Sequence, residues 1–269
     1  ISGGTITSAE PQTNRVTFTA GSSGTVSLGC SVVSSNGCAS VAAGSATVVI
    51  NSSTLTPWVM AGGNYAENFA DVVNWKDGFT CGQGANRWSV VAVNATGTIP
   101  DGKRTTVSTA TFQTASASAG VQRDNLGSNP SGKIVLLTTG TTDHSTALAI
   151  DLMLDFTARN AGTLSFDWAQ VNNGGASDNR TASVRVYTSV DGTIFTELTG
   201  AAVLNVVNNS GASGSISLVS LPSAFDDSSN ARIRFYYYNG DGGNSGSRPK
   251  IALDNIAVTS TCNAPIVTA

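Results

Sequence analysis

The sequence predicts an all-β protein folded as an antiparallel two-sheet sandwich, and three observations predict it. Runs with apolar residues at alternate positions recur, as in Val16 and Phe18 or Val48 and Ile50, which is the period of a half-buried strand. Turn signals such as Asp191-Gly192 and Asn173-Gly174-Gly175 separate these runs, and 29 of 269 residues are glycine, the composition of tight connections. Almost no stretch carries the helical period, and Ser, Thr, Asn and Val abound where Lys and Glu are scarce.

With 40% hydrophobic and 12% charged residues the chain has material for real cores and is not a disordered tail. Its 14 Lys plus Arg against 17 Asp plus Glu give a formal charge of -3 without any basic cluster, so nucleic acid is excluded as an expected partner. No apolar run approaches the roughly 18 to 20 residues of a membrane span. No basic, apolar and small-residue leader opens the chain. Starting at Ile1 inside strand-like sequence, it reads as a mature or excised piece of a longer protein.

The first stretch offers strands at 5–8, 15–20, 24–33 and 44–51, with a turn at Ser34-Ser35-Asn36-Gly37. Four short strands in so few residues are marginal as a closed sandwich, so residues 1–51 read as an incomplete β unit. Residues 52–64 mix Pro, Gly and Ser without alternation and read as a linker. From Tyr65 to Ser260 the strand candidates are 67–69, 88–93, 105–112, 134–138, 147–156, 162–170, 181–189, 193–198, 215–219, 231–239 and 251–259. Roughly ten strands at close spacing fit one jelly-roll β-sandwich over 65–260. Residues 261–269 then form a C-terminal linker.

Four cysteines with a single histidine, His144, lack zinc-knuckle spacing. In a chain poor in Lys and Glu they suggest an oxidising compartment. Cys30 and Cys38 are expected to pair across a short hairpin, which leaves Cys81 with Cys262 as a long-range staple of about 4 to 5 kcal/mol.

Parity assigns the faces. Ile233, Phe235 and Tyr237 share one face of their strand, and Arg234, Tyr236 and Tyr238 the other; Val184 and Val186 oppose Arg185 and Tyr187; Leu164, Phe166 and Trp168 oppose Asp167. If these strands are neighbours, one outer face collects Asp167, Arg185, Tyr187, Arg234, Tyr236 and Tyr238. Rings flanked by charged groups suit glycan binding, because sugar C–H faces pack on rings while hydroxyls take polar partners.

Catalytic motifs are missing: no P-loop, G-x-S-x-G or H-E-x-x-H pattern occurs, and His144 reads as a turn residue. Asp151 and Asp155 share a strand face and are expected to be solvated or to pair with Arg185 and Arg234, which makes them poor general acids. The chain is therefore expected not to be an enzyme. Glycosylation sequons stand at Asn51, Asn94, Asn179 and Asn208.

Two resemblances add to this reading. Ile1-Ser2-Gly3-Gly4-Thr5-Ile6-Thr7-Ser8, Gly24-Thr25-Val26-Ser27-Leu28, Asn36-Gly37-Cys38 and Thr47-Val48-Val49-Ile50 resemble the second half of PKD-like, immunoglobulin-like modules of secreted bacterial surface proteins. Glu67-Asn68-Phe69, Trp75, Trp88, the run from Gly162 to Trp168, the run from Tyr187 to Gly192 and the closing run from Ile251 to Val258 resemble the MAM-like, cleaved-adhesin or "choice-of-anchor" jelly rolls of bacterial modular exoproteins. The second resemblance covers nearly all of 65–260 and implies that the first and last strands lie side by side. It also implies a secreted or cell-surface, non-catalytic module for adhesion, glycan binding or display, often with structural calcium. Carboxylates of Glu67 and Asp254 would then meet, with Asn68 or Asp77 adding oxygen ligands.

The expected function is that of an extracellular structural or adhesive module of a larger protein. It would assemble with other copies or neighbouring modules by strand addition, as in a surface fibre, because a half-formed β unit exposes an edge. The alternative is a carbohydrate-binding module of a secreted hydrolase, with polysaccharide as the partner.

Overall fold

The structure, a computed structural model, describes residues 4–6, 18–20, 24–30, 44–50, 56–70, 72, 87–91, 93, 106–107, 112–114, 120–124, 132–138, 140, 142–174, 179–242 and 246–263. The chain divides into two compact units, Ile1–Thr54 and Leu55–Ala269. In the first, β1 (Gly4–Ile6) pairs antiparallel with β2 (Phe18–Ala20), and β3 (Gly24–Cys30) with β4 (Gly44–Ile50). Each of the four expected strands has a described counterpart here.

The second unit is all β among the described residues, apart from single turns of 3-10 helix. Its strands are β5 (Trp58–Val59), β6 (Tyr65–Glu67), β7 (Trp88–Val91), β8 (Thr106–Val107), β9 (Phe112–Thr114), β10 (Gly120–Asp124), β11 (Lys133–Leu137), β12 (Thr146–Asp155), β13 (Arg159–Val171), β14 (Thr181–Ser189), β15 (Thr196–Glu197), β16 (Val203–Val207), β17 (Ser213–Ser220), β18 (Ala231–Asn239) and β19 (Lys250–Cys262). They form the predicted two-sheet sandwich. A seven-stranded sheet runs β17-β13-β19-β11-β10-β9, with β6 also on β19. An eight-stranded sheet runs β15-β14-β18-β12-β5, with β16 on β14 and β7 and β8 on β12. Most pairings are antiparallel; β9–β10, β5–β12 and β8–β12 are parallel. Part of the expected linker belongs to this unit, because Trp58 and Val59 pair with Leu154 and Asp155.

Aromatic residues close the space between the sheets. Phe166 of β13 meets Phe235 of β18 edge to face at 5.3 Å, and Trp88 lies 5.9 Å from Phe235. Trp88 is fully buried, and its Nε1 donates to the Tyr65 hydroxyl at 2.8 Å, so its polar edge has a partner inside the core. Strand β12 is buried along both faces from Thr146 to Leu154. Leu148, Ile150, Leu152 and Leu154 enter the main core, while Ala147 and Ala149 join a second cluster on the other side of the sheet.

Cys262 is an exposed free thiol at the end of β19. Its register partner is Arg159, whose Nη1 donates to its Sγ at 2.7 Å. Cys38 and Cys81 lie outside the described residues, so the Cys30–Cys38 and Cys81–Cys262 expectations do too. Asn208 is corrected as a glycosylation site. It is buried, its Oδ1 accepts from the Asn173 and Asn209 main-chain N–H groups, and its amide donates to the Asn173 and Ser247 carbonyls. Asn179 is exposed.

Candidate functional site

The site begins with a phase slip in β19. Ile251 and Leu253 face the core, and so do Ile256 and Val258, so one extra residue stands between the two pairs. The chain absorbs it as a β-bulge, with register shifts against β13 and Asn255 at φ 48°. That left-handed conformation is one asparagine tolerates better than most residues. Asp254, opposite in parity to core residue Leu253, lies on the outer face of the seven-stranded sheet at the edge of the bulge.

The flanks of β19 sharpen the feature. β13 runs along one side, and on the other β11 pairs with Ile251–Leu253 while β6 pairs with Ile256–Val258. Strands β11 and β6 thus occupy successive lengths of one flank, and Asp254 and Asn255 fall in the notch between them. The expected side-by-side placement of the first and last strands of the sandwich is present in the Glu67↔Ile256 and Tyr65↔Val258 pairs.

A groove of about 350 Å³ opens at this point, lined by Lys133, Asp167, Trp168, Ser215, Asp254 and Asn255, with Ala169 and Ala252 among its small residues. Asp167 is the register partner of Asp254. The Ser215 hydroxyl donates to Asp167 Oδ1, and Asn255 Nδ2 donates to Oδ2 at 2.8 Å. These donors, Ser215 first, hold the Asp167 carboxyl below the usual carboxylate range. Asp254 is shifted the other way, because burial to 8% exposure disfavours its charge and the neighbouring Asp167 adds repulsion. Its single hydrogen bond among the described residues is accepted by Oδ1 from the Asn255 N–H, at 2.7 Å. Lys133 is near enough to favour the charge of both carboxylates, yet among the described residues it bonds to neither. The groove therefore holds an uncommitted donor and an uncommitted acceptor.

A second groove, of about 410 Å³, adjoins the first. It is lined by Ala66, Glu67, Asn68, Asn255, Ile256 and Ala257. Glu67 Oε1 accepts from the Phe69 N–H at 2.6 Å, and Asn68 Oδ1 from the Ala70 N–H at 3.1 Å. One Glu67 carboxylate oxygen and the Asn68 amide oxygen thus cap the turn after β6. Asp77 lies outside the described residues. Among the described residues no three His, Cys, Asp or Glu side chains are placed to hold a metal.

The expected glycan face is corrected. Arg185, Tyr187, Arg234, Tyr236 and Tyr238 do share one face of neighbouring strands β14 and β18, as Arg185↔Tyr236 and Tyr187↔Arg234 show. That face is covered. Tyr187, Tyr236 and Tyr238 are at most 1% exposed, packed with Val93, Ala147, Ala149 and Phe195. Arg234 forms a bidentate pair with Asp151, Nε to Oδ1 at 2.7 Å and Nη2 to Oδ2 at 2.9 Å, beneath the Phe195 ring. Arg185 donates to Glu197 at 2.6 Å and to the Tyr238 hydroxyl at 3.1 Å. Asp167 is separated from this set because β13 belongs to the other sheet. The Asp151–Arg234 pair agrees with the sequence reading, and so does His144, which sits in a turn at φ 54° with Nε2 2.6 Å from Asp241 Oδ1.

Lys133, Trp168, Ser215 and Asn255 were not singled out from the sequence as site residues. The signal that could have found Asn255 is the slipped alternation Ile251, Leu253, Ile256, Val258.

No family model and no curated protein matches the chain. Several solved structures are similar. The K3 cleaved adhesin domain of Lys-gingipain from Porphyromonas gingivalis is 14% identical, with 72% of this chain and 97% of that chain covered and a TM-score of 0.37. A carbohydrate-binding module of the β-sandwich superfamily, from a study of promiscuous specificity, is 15% identical, with 92% and 79% covered and a TM-score of 0.29. The enzymatically active domain of bacteriophage CBA120 tailspike protein 4 is 15% identical over 65% of this chain and 19% of that one, with a TM-score of 0.32.

Proposed function

We propose that the chain is a non-catalytic extracellular binding module of a larger secreted or cell-surface protein, which attaches to polysaccharide through the Asp254 groove. Its placement among the MAM-like, cleaved-adhesin jelly rolls is part of this reading. The observation that carries it is the pairing of unspent groups: the Lys133 ammonium and the Asp254 carboxyl face one groove without bonding each other. A hydroxyl both donates and accepts, so neighbouring hydroxyls of a sugar can satisfy both groups. Asp167 serves as a fixed acceptor held by Ser215 and Asn255.

The test is affinity electrophoresis and calorimetry against a panel of neutral polysaccharides, with Lys133→Ala and Asp254→Ala. Retardation by at least one polymer, weakened roughly tenfold or more by each variant, is expected, because each removes a hydrogen bond to a charged group. A module that binds no polymer, or variants that bind as wild type, overturn the reading. A second reading concerns the first unit, where β1–β2 and β3–β4 are separate two-stranded ladders among the described residues. Such ladders are marginal alone, which favours completion by a strand from another copy. Light scattering that finds only monomers at high concentration refutes it.

A further inference from the structure

We infer that the Asp254 groove and the groove beside Asn68 are two halves of one open cleft, which takes the interior of a linear, uncharged saccharide chain. This inference rests on the polysaccharide reading above and specifies what that ligand is. Three observations carry it.

The first is continuity. Asn255 lines both grooves, and its amide reaches back to Asp167 in the first. Both lie on the outer face of the seven-stranded sheet. Before the bulge Ala252 and Asp254 alternate with core residues Ile251 and Leu253, and after it Ala257, paired with Ala66, lies between core residues Ile256 and Val258. The bulge therefore keeps the polar side of β19 facing outward along both grooves.

The second is length and openness. From Ser215 on β17, across β13 and β19, to Ala66 on β6 the cleft crosses three inter-strand spacings, about 14 Å. That exceeds one pyranose ring and matches a short oligosaccharide. Small residues, Ala169, Ala252, Ala66 and Ala257, recur along it, so the lining does not close round a chain end.

The third is charge. Among the described residues Asp167, Asp254 and Glu67 line the combined cleft against one cation, Lys133. The acidic excess repels uronate or sulfated chains and leaves neutral chains as the favoured class.

The experiment is calorimetry of the full chain with β-1,4-glucan, xylan and mannan oligosaccharides from mono- to hexasaccharide, and with polygalacturonate as the acidic probe. Ala66 is exposed, so Ala66→Trp fills the second groove from outside the core; Asn68→Ala is the milder variant. Affinity for one neutral series should rise at least tenfold from disaccharide to hexasaccharide. Ala66→Trp, with an unchanged melting temperature, should return the hexasaccharide to disaccharide affinity while leaving the disaccharide unaffected, and Asn68→Ala should do so in part. Length-independent binding, or variants that bind the hexasaccharide as wild type does, overturns the two-groove cleft and leaves the single-groove reading standing. Tighter binding of polygalacturonate than of any neutral chain overturns the charge argument. Failure of every saccharide at every length overturns the polysaccharide reading itself.

Discussion

Removing one partner of the Asp151–Arg234 pair should destabilise the sandwich far more than removing both. Asp151 is 1% exposed and Arg234 7% exposed, and the guanidinium lies 3.6 Å over the Phe195 ring. Asp151→Ala strands a buried cation whose two strongest acceptors are gone, a loss of about 3–5 kcal/mol in comparable pairs. Set against the roughly 5–15 kcal/mol total of a typical domain, this is a large fraction. At about 2–4 °C per kcal/mol for a unit of this size, it lowers Tm by about 6–20 °C. Replacing both residues with apolar side chains of similar volume, as Asp151→Leu with Arg234→Met, removes the desolvation cost along with the attraction and should leave stability within about 1 kcal/mol of wild type or above it. Urea unfolding followed by tryptophan fluorescence reports the change, because Trp88 is fully buried in the core. A single variant that loses under about 1 kcal/mol, or a double variant as unstable as the single, refutes the view that the pair is costly to break and nearly neutral to replace.

Other expectations follow from the site and the sheet. Burial raises the Asp254 pKa above the ordinary 3.8, so its charging opposes folding above the folded-state value and has no effect below the unfolded one. Asp254→Asn should therefore raise Tm at pH 7 and leave it unchanged near pH 3, a contrast that calorimetry reads directly. Asp167 has the opposite sign: its pKa is lowered by Ser215 and Asn255, so Asp167→Asn should lose stability at pH 7, and the loss should vanish as pH falls through the folded-state value. Gly162→Ala places a methyl group on the Thr259 side chain and carbonyl, and denaturant titration should show a loss of about 1–3 kcal/mol. Asn255→Gly should be tolerated, whereas Asn255→Val, β-branched at φ 48°, should cost about 1–2 kcal/mol in the same assay.

Alternation made most of the sandwich legible. The strands expected at 181–189 and 231–239 are β14 and β18 without a change of boundary, and the apolar parity of Ile233, Phe235 and Tyr237 is the core side. What alternation cannot supply is what covers the other side. Arg185, Tyr187, Arg234 and Tyr236 look like a polar face because their tips are polar, yet the tyrosine rings pack with Phe195 and Val93 and the two guanidinium groups pair internally with Glu197 and Asp151. Nor does chain order reveal sheet membership: β13 lies between β12 and β14 in sequence but in the opposite sheet, which carried Asp167 away from its expected neighbours. Short elements escaped for local reasons. Strand β16 was missed because Asn205, at φ 54°, interrupts its alternation, and β5 because Thr-Pro-Trp beside Gly-Gly reads as loop. The site was half legible: Asp254 was named as a calcium ligand and Asp167 for a face that belongs to the other sheet, and their meeting depends on a register that only the folded sheet fixes.

Strand β19 is also a clock. It is the partner that β13, β11 and β6 have in common, and its pairing of Val258 with Tyr65 joins positions almost the whole unit apart. Until the ribosome has delivered residues 250–262, the seven-stranded sheet has no centre, and its remaining strands wait with open edges. Such long-range closure is slow, and intermediates with unpaired strands are prone to aggregate. This sandwich completes its fold only after strand β19 has been synthesised.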